Sequence, residues 1–242
     1  MAGLSIPVIY EDQSLLVINK PAGTHSVMLP SEISQPLAGQ NSVAAFLINR
    51  SPEMRVVALR PEDGGLVHRL DHDTSGILVA AKTREVWQIL RDAIQAGQVH
   101  KEYLAIVVGK FVKAQEVSGF IGSSSRSAKK VRVFSDPPRA KFRVLPATSY
   151  FEPLGYNSEQ NLSLVKVLAP TARLHQVRAF AAFIGHPLWN DGVYGCADLS
   201  AGMAGFVLHA NKVRLALPKD GAPLTFEAPS PTIISTLFQK SA

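Results

Sequence analysis

Short apolar runs separated by polar turns recur along the chain and outnumber the segments with helical spacing. The first two runs, residues 4–10 and 15–20, are rich in β-branched residues and are joined by a polar turn, which is typical of paired strands. Residues 76–81 and the run that follows Glu102 lack polar alternation, as expected of strands covered on both faces. Residues 111–170 continue with strand-like runs and turns, so most of the core is expected to form on a sheet.

Two segments carry the spacing of amphipathic helices. In the first, Thr83 is a candidate N-cap and Gly97 a candidate terminator. In the second, apolar residues between Leu174 and Ile184 are expected to face inward. Asn41 is a candidate cap for a third, shorter helix. Paired strands with few helices predict an α+β domain built on a mixed, mainly antiparallel sheet flanked by helices and loops.

The composition is that of a folded chain. Its 242 residues, of which 46% are hydrophobic, can bury a sizeable core, so we expect a single domain over residues 1–242. No apolar run approaches the ~20 residues that span a bilayer, and residues 1–12 lack the basic region of a signal peptide. The lone Cys196 can form no internal disulfide, which suits a reducing compartment, so the expected location is the cytoplasm.

The excess positive charge is concentrated in one segment. Residues 126–143 hold seven Lys or Arg against the single acid Asp136, so this segment accounts for the whole net charge of +6. Basic residues interleaved with apolar ones can follow a phosphate backbone while the apolar side chains anchor the segment. Lys129, Lys130 and Arg132 are therefore candidate RNA contacts. A solvated strand pair that is merely basic is the alternative.

Residues 66–76, LVHRLDHDTSG, gather five ionisable side chains within six positions. On a helix, His68 and His72 would share a face and could bind a metal, but the flanking glycines disfavour a helix here. Asp71 and Asp73, two apart on a strand, would lie roughly 6.5–7 Å apart, as in a general acid–base pair.

A single carboxylate acting as a covalent nucleophile is a third possibility for this segment. Aspartate is ionised at neutral pH and can attack an electrophilic carbon if a cation keeps it charged and oriented. A structural ion pair between Arg69 and an aspartate, with Thr74 and Ser75 completing a turn, is the simpler alternative. The residues alone do not choose among these.

The same segment resembles the signature of the RluA-type family of pseudouridine synthases. The family pattern is H-R-L-D-x-x-T-S-G-(L/I), and residues 68–77 match it at every fixed position. VHKEYLAIVVG at residues 99–109 is similar to the family's K-x-Y-x-A-x-V-x-G. TARLHQVR and NDGVYG, within residues 171–195, are similar to T-G-R-x-H-Q-(I/L)-R and G-D-x-x-Y-G. INKPAG and LTFEAP match the family's beginning and end, so the resemblance covers essentially the whole chain.

The resemblance implies a pseudouridine synthase fold with a central active-site cleft and an isomerase that needs no cofactor and no metal. It assigns Asp71 as the nucleophile at the ribose C1′ or the base at C2′, with Arg173 as its cationic partner. Tyr103 would stack on the uracil, and its hydroxyl would serve in removing the C5 proton. Arg69 would occupy the space of the flipped base. The side chains that would wall the pocket are Leu70 and Ile77.

The resemblance also implies structured RNA, ribosomal or transfer, as the partner of a monomeric catalytic domain that lacks the separate N-terminal RNA-binding domain of some relatives. The chain departs from the family pattern at Ala172 and Asn190, where the family has glycine, and at Leu174. These departures bear on substrate selection more than on catalysis. The alternatives are a non-catalytic RNA-binding or chaperone protein with this fold and a metal-dependent hydrolase.

Overall fold

The computed structural model describes residues 5–31, 33, 40–123, 130–138, 143–195, 205–215 and 223–238. Contacts group the chain into two compact units. The first comprises Met1–His100 and Ala210–Pro229, and the second comprises Lys101–His209 and Ser230–Ala242. The expectations of a single domain and of a central cleft stay predictions, and Cys196 lies outside the described residues.

The regular elements follow in chain order. The strands are β1 (Val8–Glu11), β2 (Leu15–Lys20), β3 (Ser75–Ala81), β4 (Val99–Val108), β5 (Gln115–Ser123), β6 (Arg132–Phe134), β7 (Arg143–Asn157), β8 (Leu162–Leu168), β9 (Leu208–Leu215) and β10 (Leu224–Glu227). The helices are α1 (Val43–Arg50), α2 (Arg84–Gln95), α3 (Gln176–Phe183) and α4 (Thr232–Phe238), with short 3₁₀ helices at Pro52–Val56 and Pro61–Asp63. Within the described residues, no helix is both long and apolar enough to cross a bilayer.

The sheet of the first unit centres on β2 and β3. The strand order is β1-β2-β3, followed by β9 (through its residues 210–215), which pairs with β10. Both central strands are buried along most of their length because they are apolar on both faces. Gly76, the second residue of β3, has φ +107°, and a Cβ at this position would collide with the backbone oxygen of Ala210. A glycine is therefore required where β3 leaves the 66–76 segment.

Both predicted caps of the first unit lie at or next to their expected positions. The Thr83 hydroxyl accepts a hydrogen bond from the Val86 amide and begins α2, and Gly97 follows the helix with φ +72°. The cap of α1 is Ser42 rather than Asn41, since the Ser42 hydroxyl accepts from the Ala45 amide at 3.2 Å. A hydroxyl and a side-chain amide are both good caps, so the pattern alone does not separate two neighbours.

The second unit is an antiparallel arrangement in the order β4-β8-β7-β5-β6. Its longest strand, β7, has 15 residues, although the sequence predicts only short runs in this region. Pro146 and Pro153 suggest breaks, but β7 continues through both of them. Pro153 stands at a register shift against β8, where the irregular pairing needs no proline N–H.

The two helices of the second unit differ from the sequence expectation. The sequence predicts that Leu174 faces inward on a helix, but α3 begins only at Gln176 and Leu174 is 52% exposed. The reason is His175, whose φ of +53° places it in the left-handed region and prevents an earlier start. The sequence pattern does not predict helix α4, and its Ile234 is buried in a cluster with Ile106.

Candidate active site

The turn that contains Asp71 is fixed through its backbone. The Thr74 amide donates to the Asp71 carbonyl at 3.1 Å, which closes the turn. On the other side, the Ser26 hydroxyl donates to the Leu70 carbonyl at 2.7 Å and accepts from the Leu70 amide at 3.0 Å. The Asp71 side chain is only half-buried. A rigid backbone thus presents a carboxylate that remains accessible.

A buried lysine joins this turn to the loop after β2. Lys20 is fully buried, and its ammonium donates to the carbonyls of Pro21 at 2.9 Å, Thr24 at 2.7 Å and His72 at 2.8 Å. The Gly23 amide donates to the same His72 carbonyl at 3.0 Å. Three acceptors match the three donors of an ammonium, so the buried charge is fully hydrogen-bonded.

The charge of Lys20 also acts on the site electrostatically. Burial lowers the pKa of Lys20 from 10.5 to about 8, while the negative charges of Asp73 and Asp71 raise it. At neutral pH the ammonium is therefore charged and near both carboxylates. The family motifs assign no role to Lys20, although a lysine at the end of a largely apolar strand in INKPAG is a signal for one.

The two histidines of the segment and Asp73 have hydrogen-bond partners within the fold. His68 accepts the Val79 amide on Nε2 at 3.3 Å. His72 and Asp73 lie 2.6 Å apart at Nδ1 and Oδ1 and are both partly exposed. Among the residues that the structure describes, no three His, Cys, Asp or Glu side chains converge as metal ligands. His68 and Asp73 thus have roles in the fold of the segment that need neither a metal nor an acid–base pair.

The neighbours assigned to substrate differ in exposure. Arg69 is exposed and Leu70 is 9% exposed. Ile77 has no exposed surface and lies on β3 opposite Asn19 of β2. The contacts of these three residues with substrate stay predictions.

In the second unit, Tyr103 lies on β4 opposite Val167 and is half-buried against the core. Lys101 is two residues earlier on the same strand, and its side chain is therefore on the same face. It is 5% exposed. Burial lowers the pKa of Lys101 to about 8, and the positive charge of Arg173 also acts to lower it. Lys101, to which the family motifs assign no catalytic role, is therefore in electrostatic reach of Arg173.

The loop that carries Arg173 is held on β7 by a buried glutamine. The Gln176 side-chain oxygen accepts from the Arg173 amide at 3.1 Å and from the Thr171 hydroxyl at 2.9 Å. Its amide group donates to the Thr148 carbonyl at 2.9 Å. The guanidinium of Arg173 is partly exposed and donates through Nε to the Pro146 carbonyl at 3.0 Å. The arginine backbone is thus fixed while its side chain stays accessible.

The described part of the basic segment has the expected alternation. Lys130 and Arg132 are exposed, and Val131 between them is 4% exposed. Arg132 begins β6 and pairs with Gly122 of β5. Lys129 lies outside the described residues.

The chain matches the family model described as RNA pseudouridylate synthase over residues 14–183. The chain belongs to this family. It is 30% identical to the ribosomal large subunit pseudouridine synthase C of Haemophilus influenzae, over 99% of this chain and 70% of the relative. It is also 32% identical to the ribosomal large subunit pseudouridine synthase D of Nitrosomonas europaea, over 98% of this chain and 65% of the relative.

Solved structures agree on the fold of this pseudouridine synthase. Human RNA pseudouridylate synthase domain containing 1 is 23% identical and has a TM-score of 0.70, covering 97% of this chain and 89% of that one. Three predictions are confirmed: the RluA-type family, the α+β fold and the enzyme class. The class is that of an RNA pseudouridine synthase, which is an isomerase.

The structure explains one of the departures from the family pattern. Asn190, where the family has glycine, has φ +64°, and its side-chain amide donates to the Gly205 carbonyl at 2.8 Å. Glycine adopts this left-handed conformation most easily, and asparagine is among the few other residues that tolerate it. The backbone of this pseudouridine synthase therefore accommodates the change.

The motif residues are divided between the two units. Asp71 belongs to the first unit, whereas Tyr103 and Arg173 belong to the second. Tyr103 pairs with Val167 of β8, the Arg173 amide donates to the Gln176 side chain, and the Ser26 hydroxyl holds Leu70 next to Asp71. The pairing of Asp71 with Arg173 stays a prediction.

Proposed function

We propose that this pseudouridine synthase isomerises specific uridines in structured RNA, with the RNA of the large ribosomal subunit as its first candidate substrate. The named relatives from Haemophilus and Nitrosomonas, both ribosomal large subunit synthases, support this choice. Transfer RNA is the other candidate. Ribosomal RNA is cytoplasmic, so we also place the enzyme there, acting as a monomer without cofactor or metal.

The observation that carries the proposal is the turn that contains Asp71, whose backbone is fixed by hydrogen bonds. In the isomerisation the N1–C1′ bond of uridine breaks, the base rotates and a C5–C1′ bond forms; the C5 hydrogen leaves as a proton and N1 takes up a proton, so the product is an isomer of the substrate. A carboxylate at C1′ or C2′ must be placed accurately, because reacting atoms need to approach to about 3–3.5 Å. The hydrogen bonds of Ser26 and Lys20 fix the backbone on either side of Asp71, which suits that requirement.

Two residues of the second unit complete the proposed chemistry. Arg173 keeps Asp71 charged and oriented, since an ion pair favours the carboxylate form. Tyr103 stacks on the uracil, and its hydroxyl takes part in removing the C5 proton. Lys101, on the same face of β4 as Tyr103, adds a second positive charge near Arg173.

Binding of the RNA backbone falls to the basic segment. Lys130 and Arg132 are exposed on either side of a buried valine, so both can meet phosphates while the segment stays anchored. Lys129 is included in this proposal on its sequence position. The target base must leave its stack before C1′ is reachable, at a cost of a few kcal/mol. We assign Arg69, exposed beside Asp71, to the vacated space.

The test is tritium release from RNA labelled at uridine C5, because C5 loses its hydrogen when it bonds to C1′. RNA from a strain that lacks the gene is the substrate, with ribosomal and transfer RNA assayed separately. The parent protein is expected to release tritium from ribosomal RNA, and Asp71→Asn is expected to release none while retaining RNA affinity. Asp73→Asn is the matched control and is expected to remain active.

Release by Asp71→Asn at the parental rate would overturn the assignment of Asp71, as would loss confined to Asp73→Asn. Release from transfer RNA alone would replace the substrate class and leave the reaction intact. Mapping pseudouridines in total RNA of the deletion strain and its parent then identifies the position.

A further inference from the structure

Tyr194 lies where separate segments of the second unit meet. Its hydroxyl accepts a hydrogen bond from the Val131 amide at 2.8 Å and lies 3.1 Å from Nδ1 of His175. The Lys130 ammonium is 5.1 Å from the ring centroid and the Arg178 guanidinium carbon 5.2 Å from it. One side chain thus contacts the basic segment, the residue before α3 and α3 itself.

The backbone of Tyr194 is anchored by a buried ion pair. Asp191 binds Arg178 through hydrogen bonds of 2.7 and 2.9 Å. The same carboxylate accepts from the amides of Val193 at 3.0 Å and Tyr194 at 3.2 Å. The Arg178 guanidinium carbon also lies 4.2 Å from the centroid of Phe206. The buried ion pair therefore fixes the position of the Tyr194 backbone.

Both partners of the Tyr194 hydroxyl adjoin residues of the proposed function. Val131 is buried between Lys130 and Arg132, the proposed phosphate contacts. His175 is two residues after Arg173 and has φ +53°, a conformation that non-glycine residues adopt only when surrounding contacts hold it. The contact of its ring with the Tyr194 hydroxyl is one such restraint.

We infer that Tyr194 is a positioning residue that links the basic segment to the arginine loop. Its hydroxyl holds Val131 and His175 in a fixed relation, so an RNA backbone seated on Lys130 and Arg132 also sets the orientation of Arg173. This inference rests on the proposed function, because it needs RNA on the basic segment and Arg173 at the reacting uridine. The inference predicts that loss of the Tyr194 hydroxyl lowers the rate of the reaction rather than the affinity for RNA.

The first test is Tyr194→Phe, which keeps the ring and its cation contacts and removes only the hydroxyl. The matched control is Tyr156→Phe in the same unit, since the Tyr156 hydroxyl donates to Asn161 at 3.0 Å and Lys110 lies 5.5 Å from its ring. Tyr194→Phe is expected to lower the single-turnover rate at saturating RNA about tenfold. Its Kd for RNA is expected to stay within about twofold. Tyr156→Phe is expected to change neither quantity.

The second test separates coupling from general loosening. Arg132→Ala is expected to lower both affinity and single-turnover rate in the parent, but only affinity in the Tyr194→Phe background, because the link to Arg173 is already broken. An equal effect of Arg132→Ala on the rate in both backgrounds would overturn the inference. So would a Tyr194→Phe rate equal to the parental rate, or a fall in rate matched by an equal fall in affinity.

A third measurement does not depend on the chemistry. Binding of RNA is expected to slow hydrogen exchange in residues 171–176 of the parent and not of Tyr194→Phe. If the parent shows this protection but releases no tritium from any RNA, the proposed function fails and the coupling stands. If Tyr194→Phe does not fold, His175→Asn tests the same link from the side of the arginine loop, since asparagine tolerates the left-handed conformation of residue 175. Parental rate and parental protection in His175→Asn would refute the coupling.

Discussion

The ion pair of Arg178 and Asp191 gives a quantitative test of what holds the second unit together. The side chains are 7% and 1% exposed and share two hydrogen bonds, and the carboxylate also accepts two backbone amides. Asp191→Asn keeps the shape but removes the charge, and its amide nitrogen would face donors of the guanidinium. Leaving a buried cation without its counter-charge costs about 3–5 kcal/mol. For a chain of this size, that corresponds to a fall in Tm of about 10 °C.

The assay is urea unfolding of parent and variant, followed by circular dichroism and by tryptophan fluorescence, to which Trp189 of the second unit and Trp87 of the first both contribute. Glu152→Gln is the control, because the Lys166–Glu152 pair has side chains 27% and 51% exposed. The control is expected to change the free energy of unfolding by less than about 1 kcal/mol. A decrease in Asp191→Asn as small as that of the control would refute the reasoning.

The same pair predicts a dependence on acid. Burial raises the pKa of Asp191, but the hydrogen bonds and charge of Arg178 and the two backbone amides outweigh burial, so the pKa is lower than the usual 3.8. A carboxyl with a lowered folded-state pKa contributes stability that is present above its unfolded value and is lost as pH falls through the folded value. The parent is therefore expected to lose stability below pH 3.8, and Asp191→Asn to lack this part of the decrease.

Three further expectations concern the proposed site. Tyr103→Phe is expected to bind RNA normally but to form less product, measured by tritium release, and full activity would reduce Tyr103 to a stacking residue. Replacing Lys130 and Arg132 by Ala is expected to flatten the salt dependence of RNA binding by up to about one unit of slope for each phosphate that is no longer bound, and an unchanged slope would make them a solvated face. Lys20 has a pKa of about 8 in the folded chain, against its ordinary value of 10.5. The folded chain therefore releases this proton at a lower pH than the unfolded chain, and the free energy of unfolding rises as pH increases from 8 towards 10.5. Between pH 7 and 9.5 the parent is expected to gain about 2 kcal/mol more than Lys20→Met in urea unfolding, and equal pH dependence in both would refute the assignment.

The elements predicted best are those whose signals are local. The first hairpin, β3 and α2 follow from apolar runs and from the cap at Thr83. The elements that differ depend on distant contacts. β7 continues through Pro153 because a register shift against β8 absorbs it, and α4 is stabilised by the burial of Ile234 against β4 and other parts of the second unit.

The candidate site shows the same division. Asp71, Tyr103 and Arg173 could be named from motif positions, because their proposed roles depend on the functional groups of their own side chains. Lys20 and Tyr194 also stand in the quoted motifs INKPAG and NDGVYG, but the motifs do not predict their roles, because these roles depend on contacts with residues 52 and 63 positions away. No spacing rule predicts a hydrogen bond over such separations.

The two halves of the proposed site share one way of combining rigidity with access. Around Asp71, the Ser26 hydroxyl and the Lys20 ammonium bind backbone atoms of the residues on either side and leave the carboxylate itself accessible. Around Arg173, the buried Gln176 binds the backbone amide and leaves the guanidinium accessible. In both cases the residue that holds the reactive group comes from another stretch of chain or from the start of the following helix. For the proposed chemistry, accuracy at the reacting atoms therefore also depends on Ser26, Lys20 and Gln176, and substitutions of these residues are expected to lower the rate more than the affinity.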